Sequence, residues 1–374
     1  MRRKQKDQIK KDLEKKMVFL VGPRQVGKTW LANEIAKEYE SFAYLNYDHG
    51  DDRTIIKNEQ WPPTTELLVF DELHKMPGWK NFLKGVYDTR EPQQKILVTG
   101  SARLETFRQA GDSLAGRFFA HHLLPFSLSE LSGTDSARNI DHLITRGGFP
   151  EPFLAAEDID ADRWRKQYVD GLIREDILDF ERIADFRAMR NVLSFLRRGV
   201  GSPASYVSLA EDADISPTTA RKYVDILEAL YIVFRVAPYH TRIARSLRKE
   251  AKVYFFDTGL VVGDNGAKFE NFVAVSLLKS VLGRNDALGE DNALRYIRTK
   301  EKKEVDFCLV NGDNEVETLI ESKVTRKQLD PNLLYFSKKY NLKAMQIVRH
   351  LRQERVVENI PITGAQSFLS SLFL

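Results

Sequence analysis

Eight consecutive residues, Gly22, Pro23, Arg24, Gln25, Val26, Gly27, Lys28 and Thr29, read G-x-x-x-x-G-K-T. This spacing suits phosphate binding. Glycines let the backbone approach phosphate oxygens, and the start of the next helix points amide dipoles at them. Lys28 is expected to reach the β- and γ-phosphates of ATP, and the Thr29 hydroxyl to ligate Mg2+. An acidic pair, Asp71-Glu72, follows the apolar run Leu67-Leu68-Val69-Phe70. Asp71 is placed to hold Mg2+ through water, and Glu72 to act as general base on the attacking water. Ser101, with Thr99 beside it, ends a further apolar run and is a candidate sensor of the γ-phosphate. The competing reading is a plain Gly-Ser turn.

These groups need a parallel sheet behind them. Met17-Val18-Phe19-Leu20-Val21 is a continuous apolar run, as in a buried parallel strand. Trp30, Leu31, Ile35 and Ala36 recur at helical spacing. Phe42-Ala43-Tyr44-Leu45-Asn46 predicts a second strand. Lys95-Ile96-Leu97-Val98-Thr99 predicts a strand beside that of the phosphate loop. Residues 2 to 16 predict a short helix laid on the first strand through Ile9 and Leu13, with its lysines in solvent. Arg117 is a candidate arginine finger reaching a neighbouring subunit of a homo-oligomer; equally, it can pair with a carboxylate of its own sheet. His121 and His122 are adjacent on a strand, so they face opposite ways and share no metal.

Composition bounds the rest. A chain of 374 residues holds two or three domains, and 43% hydrophobic with 29% charged residues is the balance of a soluble globular protein. No apolar run approaches the length needed to span a bilayer, so no membrane partner is expected. The basic start lacks the apolar core of a signal peptide. The single cysteine, Cys308, lies in an apolar run and reads as a buried inert thiol in a reducing cytoplasm. The net charge of +4 is too small to establish nucleic-acid binding.

Gly147-Gly148-Phe149-Pro150 marks a domain edge. Beyond it, Ser216-Pro217 predicts a helix start. The helices on either side form a helix-turn-helix, winged by the strand Tyr231 to Val236. Arg221 and Lys222 favour DNA on the second helix; Glu211, Asp212, Asp214, Asp225 and Glu228 oppose it. Arg242, Arg245, Arg248, Lys249 and Lys252 form a more basic stretch. Lys268 to Leu282 predicts an amphipathic helix carrying Glu270. Asp257 reads as a turn residue. In the last third, Glu304 to Val310 and Thr318 to Lys323 predict neighbouring strands. Alternation puts Glu321 and Lys323 on one face, where Asp306 can join them. Hard oxygen ligands of this kind suit Mg2+. The plain alternative is a hairpin with cross-strand ion pairs. Arg295, Arg298, Lys300, Lys302 and Lys303 are available to hold a phosphate backbone.

The ordered segments Gly22 to Thr29, Phe70 to Lys75, Thr99 to Arg103, Leu114 to Arg117, Leu124 to Leu131 and Gly147 to Pro152 resemble AAA-type prokaryotic ATPases. The C-terminal half of those proteins is catalogued as domain of unknown function 4143. This resemblance implies an AAA-like ATPase using Lys28, Thr29, Asp71 and Glu72, with Ser101 as sensor and Arg117 as finger. Asp306 followed by Glu321-x-Lys323 resembles the PD-(D/E)xK nuclease core. That likeness implies Mg2+ held by Asp306 and Glu321, a water-activating role for Lys323, and Glu270 as an additional acidic residue. The expected fold is α/β throughout. A P-loop NTPase sheet (1–146) precedes a helical and winged-helix module (147–250) and a restriction-nuclease-like domain (251–374). The expected activity is ATP hydrolysis coupled to DNA binding and Mg2+-dependent DNA cleavage. The alternative is a nucleotide-gated DNA- or protein-binding switch whose nuclease-like domain is a scaffold.

Overall fold

The computed structural model describes residues 3–100, 114–131, 140–173, 185–240, 250–325 and 328–374. The chain divides into two compact units, Met1–Leu124 and Pro125–Leu374. Ser101 and the stretch Arg242 to Lys249 lie outside the described residues.

The first unit is built on a parallel sheet of β1 (Met17–Val21), β2 (Phe42–Asn46), β3 (Leu67–Asp71), β4 (Lys95–Thr99) and β5 (Phe118–His122), in the order β2-β3-β4-β1-β5. Every residue of β1 and β3 is buried, because helices cover both faces of a parallel sheet. Those helices are α1 (Lys6–Leu13), α2 (Lys28–Ala36), α3 (Gly50–Lys57) and α4 (Trp79–Thr89). Phe19, Phe70, Leu83 and Val98 meet in one core cluster. Each such side chain contributes about 1.5–3 kcal/mol by leaving water. The strand of the phosphate loop lies beside β4, as expected, and pairs with β5 on its other side.

The N-terminal segment does more than cover β1. Ile9 and Leu13 are buried as expected, but so are Arg3, Gln5 and Asp12. Arg3 donates to Leu124 O at 3.0 Å and to Val26 O at 2.6 Å. Gln5 donates to His122 O at 2.7 Å, and Asp12 lies 2.9 Å from His121. This polar strap satisfies carbonyls at the end of β5 and inside the loop, which would otherwise be buried unpaired. Lys6 and Lys10 are not simply solvated, since both reach Glu38.

In the second unit, short helices α5 (Leu128–Leu131), α6 (Ile140–Arg146) and α7 (Pro150–Leu154) precede α8 (Asp158–Gly171) and α9 (Phe186–Arg198). Next come α10 (Tyr206–Ala213) and α11 (Pro217–Ala229), joined by a tight turn. Ser216 caps α11 by accepting Thr219 N at 3.1 Å, with Pro217 in the first turn. One sheet then holds β6 (Val233–Pro238), β7 (Lys252–Phe255), β8 (Ala293–Arg298), β9 (Glu304–Val310), β10 (Val316–Lys323), β11 (Ala344–Val348), β12 (Arg355–Val357) and β13 (Ile360–Gly364). Its order is β12-β13-β11-β10-β9-β8-β6-β7. An edge at residue 250 therefore cuts through a sheet. The β6–β7 pair after the helix-turn-helix continues into β8 through Ala237–Arg295 and Pro238–Tyr296.

Among the described residues, three further α-helices follow in this unit: α12 (Asn265–Leu288), α13 (Pro331–Tyr340) and α14 (Ala365–Ser370). The expected amphipathic helix, α12, is instead buried on nearly every side between Phe269 and Gly283. The C-terminal tail is helical only to Ser370, and Leu374 packs over Gly283. Two sequence features singled out above prove to be packing devices. Phe126 N donates to Gly148 O at 2.7 Å, and Lys279 binds both Pro125 O and Glu130. Asp257 is a buried turn residue, accepting Gly259 N at 3.0 Å and pairing with Arg165 at 2.9 Å.

Candidate nucleotide site and a second carboxylate cluster

The loop from Gly22 to Gly27 leaves β1 and enters α2 directly, which is how a buried strand delivers backbone amides to a phosphate. Gly22 has φ 144°, and a Cβ there would overlap the carbonyl oxygen of Leu123. This glycine is thus demanded first by the neighbouring strand end, a reason the loop spacing does not reveal. Gly27, at φ 96°, turns the chain into α2. Lys28 donates to Gly22 O at 3.0 Å and Pro23 O at 2.7 Å. Burial pulls its pKa down to about 8, against the opposing charges of Glu72 and Asp71.

Asp71 is the hub of the site. Its Oδ2 accepts from Thr29 Oγ1 at 2.8 Å and from the Tyr44 hydroxyl at 2.6 Å, while Oδ1 accepts from Thr99 Oγ1. Thr99 is therefore a positioner of Asp71. Tyr44 went unmarked in the sequence. It lies two residues before the end of β2, and its hydroxyl pKa is pushed up by burial and by Asp71.

Glu72 donates its backbone N–H to Thr99 O at 3.1 Å and sits in the left-handed region at φ 56°. Such backbone strain is held by surrounding structure and concentrates at functional positions. Its Oε2 is buried without a hydrogen-bond partner, with His74 Nε2 at 3.6 Å and Lys75 Nζ at 3.7 Å. Burial raises its pKa, as a general base requires.

These residues fit a Mg2+-nucleotide. A hydroxyl and a carboxylate already meet at Thr29–Asp71, and a buried carboxylate oxygen stands unsatisfied beside them. Arg117 is paired with Asp88 through Nε at 2.9 Å and Nη2 at 3.1 Å, a carboxylate of the helix α4 and not of its own sheet.

A second cluster gathers on β9 and β10. One step beyond the paired Ile320 and Phe307, Asp306 and Glu321 face each other. Glu321 Oε2 accepts Asp306 N at 3.1 Å, and Lys323 pairs with Glu321. Asp306 Oδ2 accepts Ser322 N at 3.0 Å and Ser322 Oγ at 2.7 Å. So the expected three residues do come together. Glu270 approaches from α12, but its Oε1 is taken by Tyr254 at 2.7 Å and Lys252 at 3.2 Å. Lys252 also lies 2.8 Å from Glu304 and 3.8 Å from Asp306. Burial opposes its charge, yet Glu270, Asp306 and Glu304 hold its pKa above the usual lysine value. Burial, then Asp306, pushes both Glu270 and Glu321 upward.

As arranged, these donors do not fit the Mg2+ expected at Asp306, Glu321 and Glu270. Asp306 Oδ2, both Glu321 oxygens and Glu270 Oε1 point at N–H and O–H donors of the protein. Among the described residues, no group of three His, Cys, Asp or Glu is placed to hold a metal ion. Of the five basic residues expected to hold a backbone, Arg298 pairs with Glu304 at 3.1 Å and Lys303 lies over the Tyr335 ring at 3.8 Å. Arg295 is partly buried, while Lys300 and Lys302 are exposed.

Residues 14–132 match a family described as AAA domain. The N-terminal unit, a parallel-sheet α/β fold with a P-loop, is similar to that family over these residues. Residues 137–267 match a family described as Domain of unknown function (DUF8612), a different family from the one implied above for the C-terminal half. An uncharacterized protein of Mycobacterium tuberculosis is 28% identical over 307 residues, covering 78% of this chain and 67% of that one. An uncharacterized protein of Haemophilus influenzae is 26% identical over 326 residues, covering 79% and 80%. Among solved structures, the Walker-type ATPase of Pyrococcus abyssi aligns with 70% of this chain and 94% of its own, at 14% identity and TM-score 0.46. Among the described residues, no helix is long and apolar enough to cross a membrane.

Proposed function

We propose that this protein hydrolyses ATP at the P-loop and uses the nucleotide cycle to control DNA binding by its second unit. The observation that carries the ATPase reading is the convergence on Asp71, which ties Thr29, Tyr44 and Thr99 together while Thr99 O holds the backbone of Glu72. Lys28 exchanges its loop carbonyls for the β- and γ-phosphates. Thr29 and Asp71 would hold Mg2+, which when bound would supply charge neutralisation at the phosphates. Glu72, partly dehydrated and lacking a hydrogen bond at Oε2, takes the proton of the attacking water. Phosphate release from ATP by wild type and Glu72→Gln tests this reading. Equal rates would reject it.

DNA binding is supported by one specific compensation. Arg235 pairs with Asp225 at 2.6 Å and also with Glu228, so one of the two negative charges that these acids of α11 set against DNA is offset internally. Arg221 and Lys222 remain exposed on the same helix. DNA affinity that falls steeply with salt, and less steeply in Arg221→Ala/Lys222→Ala, is the expected result. Salt-independent binding would count against it.

Cleavage by Asp306, Glu321 and Lys323 is a second reading, favoured by their meeting on adjacent strands. The arrangement around Lys252 favours binding without cleavage. Incubating DNA with Mg2+ and the full chain, with Asp306→Ala as control, separates the two. A homo-oligomer with Arg117 as a trans finger remains part of the proposal, because the Asp88 pair is exposed and easily opened. Mixing Arg117→Ala with Glu72→Gln chains tests it: a trans finger restores turnover in the mixture.

A further inference from the structure

We infer that the ammonium of Lys252 is the resident cation of the carboxylate cluster in the second unit, standing where a divalent ion would otherwise be needed. This rests on geometry alone and is independent of the ATPase reading.

Lys252 sits on β7, the edge strand, yet its side chain is only 1% exposed. It reaches three carboxylates from two elements: Glu270 of α12 at 3.2 Å, and Glu304 and Asp306 of β9 at 2.8 and 3.8 Å. The Tyr296 ring lies beneath it at 5.4 Å. A buried lysine surrounded in this way is a built counter-ion. Burying an ammonium without partners is prohibitive, and burying several carboxylates without a cation is equally so. Each solves the other's problem.

Three further oxygens of the cluster are satisfied by other groups of the protein. Asp306 Oδ2 takes Ser322, while Glu321 takes Asp306 N and Lys323. Gly201 completes the enclosure, since a Cβ at that position would lie 2.7 Å from a Glu270 oxygen. A hexa-coordinate hard cation needs several carboxylate oxygens free to turn towards one point. Here Asp306 Oδ2, both Glu321 oxygens and Glu270 Oε1 are committed to N–H and O–H donors, and the Lys252 ammonium already stands among the carboxylates. The consequence is a nuclease-like strand pair that needs no divalent ion to hold its charges together.

The experiment is a Mn2+ titration of the full chain without nucleotide, followed by electron paramagnetic resonance. Wild type and Asp306→Asn are compared, so that Mn2+ at the P-loop cancels. The expected result is equal Mn2+ uptake by the two proteins. Lys252→Met, which removes the ammonium but keeps the stem, should take up one additional Mn2+ per chain, and Lys252→Met/Asp306→Asn should lose it. One Mn2+ in wild type that Asp306→Asn abolishes would overturn the inference. So would a folded Lys252→Met chain, verified by circular dichroism, that gains no Mn2+. If Lys252→Met does not fold, the comparison of wild type with Asp306→Asn still decides.

Discussion

The Thr29 hydroxyl donates to Oδ2 of Asp71 at 2.8 Å, joining the end of the phosphate loop to the tip of β3. The two side chains proposed to hold Mg2+ are thus preassembled across 42 residues of chain. Such prepositioning lowers the reorganisation required when the metal-nucleotide arrives. Asp71→Asn keeps a hydrogen-bonding side chain but removes the charge. It should lower kcat for Mg2+-ATP by about 10²-fold or more, with little change in melting temperature without nucleotide. A steady-state phosphate assay and a thermal melt check both halves.

Glu72→Gln should separate binding from turnover. Removing a general base lowers the rate by about 10²–10⁴-fold, while ATP affinity stays near that of wild type because Lys28 and the loop are untouched. If the affinity falls as far as kcat, Glu72 shapes the loop and is not the base.

Gly22→Ala should damage folding before it damages nucleotide binding. Its φ of 144° and the overlap with Leu123 O both oppose a side chain, so a loss above about 3 kcal/mol is expected. Gly116 has φ 76° but open space around it, and Gly116→Ala should lose only about 1–2 kcal/mol. Chemical denaturation without nucleotide compares them.

Lys279 and Glu130 form a pair with both side chains only 1% exposed. Lys279→Met alone leaves a buried carboxylate and should destabilise by about 3–5 kcal/mol, whereas Lys279→Met/Glu130→Leu should recover part of that loss. A double-mutant cycle by urea unfolding measures the coupling. Additive losses would show that the two charges do not depend on each other.

Cys308 is fully buried, and burial pushes its thiol pKa well up. A thiol-disulfide reagent should therefore label it only as fast as the chain unfolds. Rapid labelling of native protein would contradict this.

Local patterns were enough for the phosphate loop, Asp71-Glu72, the strand positions of the first sheet, the Ser216 cap and the meeting of Asp306, Glu321 and Lys323. These depend on contiguous spacing, on period-two alternation or on one short hairpin, all properties of neighbouring residues. Tyr44, Thr99 as a positioner, Arg3 beneath the loop, and Lys252 among the carboxylates depend on contacts between distant segments. Lys252 meets Glu304 from 52 positions away, across intervening strands. In the sequence it is one of five basic residues in a run. In the fold it is removed from solvent and set among opposite charges. The α12 helix shows the same limit: its pattern marks a helix, but only the elements packed around it decide that it is buried on nearly every side between Phe269 and Gly283. Sequence determined which chemistry is available at Lys28, Thr29, Asp71 and Glu72. Tertiary structure alone decided which charges are spent on each other, because burial and through-space distance, not spacing along the chain, set the energy of a charge.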